Sequence, residues 1–259
     1  MASSPLARKR ILVTRPAHQA QAWCAQLRRS GAEADCIPML AIVPIDSGAP
    51  LQAIKNQILD FDQVDHAIFV SQNAVQLGCD WLDDYWPQLP QGPRYYAIGA
   101  ATARALESRG LPCTSGGDTM DSEALLALAE LHSVTGERVL IFRGSGGRTL
   151  IGDTLAARGA RVDYCELYRR ALPDDAARHL AEYRGDADAI AVHSGETLAN
   201  LSRCIDACGL QALRKLPLIC PSQRVADQAA ALAFARPVAA DNAGDRAMLA
   251  ALETALSLP

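Results

Sequence analysis

Aromatic residues make up only 5% of this 259-residue chain, and its five histidines, at 18, 66, 132, 179 and 193, show no metal-ligand spacing. Eight cysteines are present, yet none form a CxxC pair; Cys204 and Cys208 lie four apart with no histidine near them in sequence. That argues against a zinc site or a redox motif and for free thiols in a reducing cytoplasm. No apolar run is long enough to span a bilayer, and the basic opening MASSPLARKR has no apolar stretch behind it. Neither a membrane span nor a signal peptide is therefore expected. A net charge of −4 leaves no excess of positive charge for binding nucleic acid. The sequence also lacks a recognisable carboxylate pair and an ordered Cys/His couple. The glycine run at 144–147 is neither GxGxxG nor a Walker loop, since no Lys-Ser/Thr follows it.

What is present is a repeat. RILVTRPAHQAQAWCAQLRRSGAEADCIPMLAIV at 10–43 aligns without a gap on RVLIFRGSGGRTLIGDTLAARGARVDYCELYRRA at 138–171. Each copy reads as a short apolar strand, a turn, a helix ended by glycine (Gly31, Gly159) and a long extended second strand. Around them strands alternate with helices: strands at 66–71, 95–99, 189–194, 216–221 and 237–240, and helices at 51–59, 72–77, 101–109, 122–132, 196–208, 223–234 and 244–256. Ser122 is the expected N-cap of the helix at 122–132. Ile68-Phe69-Val70-Ser71 corresponds to Ala191-Val192-His193-Ser194, and Ile98-Gly99-Ala100 to Cys220-Pro221-Ser222. Such alternation implies an α/β protein with parallel sheets, each flanked by helices. The simplest topology makes residues 1–36 plus 171–259 one discontinuous domain and 41–168 a second. Two long linker strands, at about 33–43 and 161–171, join them, the first with Pro38 in its middle, as fits a connector between sheets. A plain tandem cut near Pro173 is the rival.

Ligands of open parallel sheets bind beyond the carboxyl ends of the strands, at helix N-termini. The residues expected there are Thr14 and Arg15; Ser71, Gln72 and Asn73; Gly99, Ala100 and Thr102; Arg143, Gly144, Ser145 and Arg148; Ser194 and Thr197; and Ser222 and Arg224. Hydroxyls, glycines and arginines suit recognition of carboxylates or phosphates. Ser71, Ser122, Ser194 and Ser222 also read as plain helix caps, and Tyr168 as a packed aromatic on the second long strand.

Several segments in order resemble the uroporphyrinogen-III synthase family: ILVTRP at 11–16, IPMLAI at 37–42, IFVSQNAV at 68–75, AIGAATARAL at 97–106, DSEALLAL at 121–128, VLIFRGSGGRTL at 139–150, RGARVDYCELYRR at 158–170, SGETLANL at 194–201 and CPSQRVA at 220–226. The resemblance implies two flavodoxin-like α/β domains joined by two linker strands, with a substrate cleft between them. It implies a lyase of haem and other tetrapyrrole biosynthesis that cyclises linear hydroxymethylbilane, a polycarboxylate, with inversion of the last pyrrole ring and loss of water. Neither metal nor organic cofactor is implied, and a cytoplasmic monomer is expected. Tyr168 matches the family's hinge-strand tyrosine, expected to assist departure of the hydroxyl by donating a hydrogen bond or proton. Arg15, Ser71, Arg148 and Ser194 match positions that line the cleft. The competing expectation is a non-catalytic anion-binding or sensory module of the same architecture.

Overall fold

The computed structural model describes residues 5–114, 121–183 and 185–257. The chain forms two compact units: one runs to Ala41 and resumes at Ala171, and the other is Ile42–Arg170.

In the first unit, β1 (Arg10–Val13), β2 (Glu33–Cys36), β8 (Ala189–Ala191), β9 (Pro217–Cys220) and β10 (Arg236–Ala239) form a sheet in the order β10-β9-β8-β1-β2. Every neighbouring pair is parallel. Numbered within the unit this is the doubly wound order 2-1-3-4-5, with its switch point between β1 and β8. The faces explain the apolar strands. Ile11 and Val13 point to a core with Trp23 and Leu27 of α1 (Ala17–Arg29) and Met248 and Leu252 of α10 (Asp245–Ser257). Leu12 points the other way, to Leu180 of α7 (Ala176–Glu182), Leu201 of α8 (Gly195–Cys208) and Val225 of α9 (Gln223–Ala231). Strands covered on both sides need no polar alternation.

In the second unit, β3 (Ala41–Pro44), β4 (His66–Phe69), β5 (Arg94–Ala97), β6 (Arg138–Gly144) and β7 (Arg161–Ala171) lie in the order β3-β7-β6-β4-β5. On one face Phe69, Phe142, Cys165 and Leu167 pack with α2 (Gly48–Leu59), α3 (Gln72–Tyr85) and α4 (Ala100–Ser108). On the other, Ile68, Val139 and Ile141 pack with Leu125 and Leu126 of α5 (Ser122–Leu126) and with Ile151 and Leu155 of α6 (Leu150–Ala157). Phe69 and Phe142 stack at 4.4 Å. A Cβ at Gly78 in α3 would meet both rings at 3.0 Å. A mid-helix glycine costs about 1 kcal/mol of helix propensity, and here it lets α3 lie close over the stacked pair.

The repeat persists at the level of register. Arg10 faces Glu33 and Leu12 faces Asp35; 128 residues on, Arg138 faces Arg161 and Leu140 faces Asp163. Ile11 faces Ala189 as Val139 faces His66. The four-strand block β2-β1-β8-β9 thus recurs as β7-β6-β4-β5, and the two sheets differ in the fifth strand. It lies beside β9 in the first (β10) and beside β7 in the second (β3).

Four expectations change. Residues 33–43 are not one strand: β2 stops at Cys36, β3 begins at Ala41, and the break contains Pro38. Residues 122–132 are not one helix. Leu128 is extended, and α5 is followed by a 3-10 turn at Ala129–Leu131. In a continuous α-helix Leu131 would point well away from Leu125; the break turns it into the same core. The N-cap of α5 is Asp121, whose Oδ1 accepts from the Ala124 N–H at 2.8 Å, and Ser122 is the first helical residue. Finally, Ala67 faces Tyr95 as Ile190 faces Leu218, so Gly99 rather than Ala100 corresponds to Ser222. Both are helix N-caps.

Candidate functional site

In the second unit the carboxyl ends of β4, β6 and β7 meet the N-terminus of α3. Ser71 is extended, as an N-cap must be, and its Oγ accepts from the Ala74 N–H at 3.1 Å. The same Oγ lies 2.9 Å from the Tyr168 hydroxyl. Tyr168 is only 3% exposed and belongs to the core of Phe69, Phe142 and Leu167. It reaches Ser71 by lying across β6. The β6–β7 register shifts at Arg143/Gly144, which sets Gly144 opposite Tyr168. The Ser145 N–H donates to the Tyr168 carbonyl at 2.7 Å.

The glycine turn after β6 is held from inside. Arg143, 7% exposed, donates from Nε to the Gly144 carbonyl (3.1 Å) and from Nη1 to the Arg148 carbonyl (3.2 Å), and its guanidinium lies over the Tyr164 ring. The Gly146 N–H donates to Glu166 at 3.1 Å. Arg143, expected among substrate-binding residues, is thus engaged as the clamp of its own turn, and Glu166 is a partner that sequence reasoning missed. Ser145 and Arg148 are exposed. A pocket of about 190 Å³ opens here, lined by Val70, Ile98, Arg143, Gly144, Arg148 and Arg170 among others. It sits at the switch point of this sheet, between the ends of β4 and β6.

Other expected residues of this unit lie at neighbouring strand ends. Gln72 is exposed at the start of α3 and donates weakly to the Ala101 carbonyl (3.4 Å); Asn73 follows it. Gly99 caps α4 with φ 80°, a left-handed value that favours glycine, and Ala100 is the first helical residue. Thr102 is buried at 4% on the inner side of α4, so its hydroxyl does not face solvent as expected of a ligand contact.

The first unit has the corresponding places with other occupants. The Thr14 hydroxyl, fully buried, donates to the Ala191 carbonyl at 2.9 Å and ties β1 to β8. Arg15, which stands where Arg143 stands in the repeat, is held by Asp245 of α10 at 2.6 Å. Ser194 caps α8 and accepts from the Thr197 N–H at 3.1 Å, but its second contact is the Thr197 hydroxyl at 2.5 Å. Thr197 is 2% exposed. Ser222 caps α9 by conformation alone, and Arg224 is exposed in its first turn. Beside Ser194, both ring nitrogens of His193 are buried without a hydrogen-bond partner, as are Arg15 Nε and Trp23 Nε1. The His193 and Trp23 rings meet edge to face at 5.8 Å. Burial, aided by the charge of Arg15, pushes the His193 pKa down to about 3. The sequence shows His193 only as one of five histidines without ligand spacing. The available signal was its place in the repeat, where Val70 stands in the other copy.

Among the described residues no group of three or more His, Cys, Asp or Glu could hold a metal ion, and no helix is long and apolar enough to cross a membrane. All eight cysteines are free. Burial pushes the Cys79 thiol up to about 11 and that of Cys165 up as well, so neither is a ready nucleophile. The strand ends thus present amides, hydroxyls and guanidinium groups, chemistry suited to an anionic ligand, and the Tyr168 phenol lies buried against Ser71.

The family model described as "Uroporphyrinogen-III synthase HemD" matches residues 21–250. The uroporphyrinogen-III synthase of Escherichia coli K12 is 37% identical over 250 residues, which cover 94% of this chain and 99% of that one. That of Salmonella typhimurium is 35% identical with the same coverage. Among solved structures, a uroporphyrinogen III synthase of the extreme thermophile Thermus thermophilus aligns over 97% of this chain and 100% of its own, with TM-score 0.61 and 20% identity. The Helicobacter pylori enzyme aligns with TM-score 0.56 over the same shares at 14% identity. These two likenesses concern the fold.

Proposed function

The chain belongs to the uroporphyrinogen-III synthase family, whose members cyclise hydroxymethylbilane in tetrapyrrole biosynthesis, and we propose that in this protein the reaction is centred on Tyr168. The observation that carries the assignment is the 2.9 Å contact of the Tyr168 hydroxyl with Ser71 Oγ at the N-terminus of α3. The contact supports the reading because it joins the phenol to a helix N-terminus at the carboxyl edge of the sheet, with Gly144 of the glycine turn opposite it.

The proposed sequence of steps balances without a cofactor. Tyr168 donates its proton to the terminal hydroxyl of the substrate. The C–O bond breaks, water leaves, and the electron pair of the adjacent pyrrole nitrogen forms the C=N⁺ bond of an azafulvene cation. The substituted carbon of the last ring attacks that cation to give a spiro intermediate. The bond from that carbon to its original methylene then breaks and reforms at the opposite α-carbon, which inverts the ring. The proton lost as the ring regains aromaticity returns to the Tyr168 oxygen. The net change is loss of one water.

Ring inversion is a matter of geometry, so the remaining residues act by holding carboxylates. Arg148 and the amides of the turn at 144–148 serve the pocket of the second unit, which at about 190 Å³ suits one ring or one acidic arm rather than a whole tetrapyrrole. The amides of Gln72 and Asn73 and of Gly99 and Ala100 serve the neighbouring edge. In the first unit Arg15, Ser194, Ser222 and Arg224 serve the same purpose. Arg143 contributes indirectly, by shaping the turn. We further read the two units as separate domains, with the segments at 33–43 and 161–171 as their connections; the chain passes between units at 41/42 and 170/171. A cytoplasmic location is in keeping with eight unpaired thiols, and we read the protein as a monomer.

The test is an assay with freshly made hydroxymethylbilane, oxidation of the product and separation of type I from type III isomers. Type III product above the spontaneous background is the expected result. Type I alone, at the spontaneous rate, would contradict the assignment.

A further inference from the structure

Tyr168 sits in a seat with two parts, and neither part is explained by contact with substrate alone. The first is Gly144. Its φ is not among the left-handed values of the chain, so backbone freedom does not account for glycine there. Space does. A Cβ on Gly144 would stand 2.5 Å from Tyr168 Cε2 and 2.8 Å from Cζ, well inside contact distance. The ring lies on the bare Cα because the register shift between β6 and β7 sets Gly144 opposite it. An added methyl must push the ring off its line to Ser71.

The second part is Ser71. One lone pair of its Oγ is taken by the Ala74 N–H. Either hydroxyl of the Ser71–Tyr168 contact could donate, but the two directions differ in consequence. If Tyr168 donates, its proton is occupied. If Ser71 donates, the phenol proton is free for a leaving hydroxyl, and Ser71 stabilises the negative charge left behind.

The first unit supplies the control. Pro16 stands where Gly144 stands in the repeat, Leu40 where Tyr168 stands, and Ser194 turns instead to the Thr197 hydroxyl. Both serines cap a helix of 14 residues and both accept from the N–H three residues on. Capping alone therefore does not distinguish them; the phenol contact does.

We infer that Gly144 and Ser71 are positioning residues for Tyr168, Gly144 by leaving room for the ring and Ser71 by donating its hydroxyl proton to the phenol oxygen. The inference rests on the reading of Tyr168 as the proton donor.

The experiment is an isomer-resolved kinetic series on Gly144→Ala, Ser71→Ala, Ser71→Thr and Tyr168→Phe, with the double variants Gly144→Ala/Tyr168→Phe and Ser71→Ala/Tyr168→Phe. Gly144→Ala should lower kcat for type III product by about tenfold or more, with KM within about twofold. In the Tyr168→Phe background the same change should cost nothing further. Ser71→Ala should behave likewise with a smaller loss, and Ser71→Thr, which keeps the hydroxyl, should restore most of the rate. If Tyr168→Phe is slow but Gly144→Ala and Ser71→Ala are fast, the seat is refuted while the tyrosine stands. If either change costs as much in the Tyr168→Phe background as alone, its role is structural and the seat is likewise refuted. A fast Tyr168→Phe overturns both the donor and its seat. Should Gly144→Ala fold poorly, the serine pair decides by the same criteria.

Discussion

The two sheets of this protein share a four-strand block down to its register, yet the groups at their carboxyl edges do different work. Arg10 with Glu33 repeats as Arg138 with Arg161, and Ser194 repeats as Ser71, each capping a helix. The switch-point arginines occupy equivalent positions as well. Arg143 is turned inward onto the carbonyls of its own turn, whereas Arg15 is tied to Asp245 of a neighbouring helix. Position 168 carries tyrosine where its counterpart, 40, carries leucine. The strand pairing is shared between the copies, and so are a serine and an arginine at the strand ends; what differs is the partner each of those side chains takes. A parallel sheet is specified by its buried runs, and its carboxyl edge, where ligands of such sheets bind, is free to diverge.

The comparison can be broken in three ways. The largest effect is expected at the arginines. Arg143→Met should lower stability by about 2–3 kcal/mol, because two carbonyls of the glycine turn lose a buried charged donor. Arg15→Met, removing a partly buried ion pair, should cost about 1 kcal/mol while raising KM. Urea unfolding of the two variants checks this, and equal losses would contradict the different roles.

Next is His193. Its folded pKa of about 3 lies below the ordinary 6.5, so the unfolded chain binds the proton first on acidification. Stability is fully present above about pH 6.5 and falls as pH drops toward 3. At pH 5 the expected loss is about 2 kcal/mol. His193→Gln should flatten that part of the Tm–pH curve between pH 7 and 5. An unchanged curve would mean that the imidazole is not buried as described. Val70 in the second unit has no such titration.

The smallest effect concerns the serines. Ser71→Ala and Ser194→Ala should each cost about 1 kcal/mol in thermal unfolding, since each removes one cap. A clear inequality would mean that the phenol contact contributes to stability as well as to turnover.

Much of this architecture is legible in the amino-acid sequence because buried parallel strands leave short apolar runs and glycines end their helices. The alignment of 10–43 with 138–171 needs no gap, and the pairing register obeys it. The slip at Ile98 and Cys220 has a physical cause. Gly99 caps α4 by its backbone angle and carries no side chain to match Ser222. The cap of α5 is Asp121 and not the expected Ser122; both residue types cap helices, and backbone angles decide which one stands outside. Tyr168 and Arg143 illustrate the limit at the site. The tyrosine was singled out through the family resemblance, but its burial and its contact with Ser71 depend on a register shift that no local pattern encodes. The arginine's inward turn depends on carbonyls that become neighbours only once the glycine turn has formed. His193 escaped because a histidine after an apolar strand looks like any polar residue at a strand end until the chain is laid on its own repeat.

The most direct test of the account is turnover of Tyr168→Phe with fresh hydroxymethylbilane, read as separated type I and type III products. The substitution removes one oxygen and leaves the ring among Phe69, Phe142 and Leu167, so the fold should be retained. The account predicts a kcat for type III product lower by about a hundredfold or more, with the lost flux appearing as spontaneous type I product. Type III formation at the wild-type rate by a folded variant would contradict it.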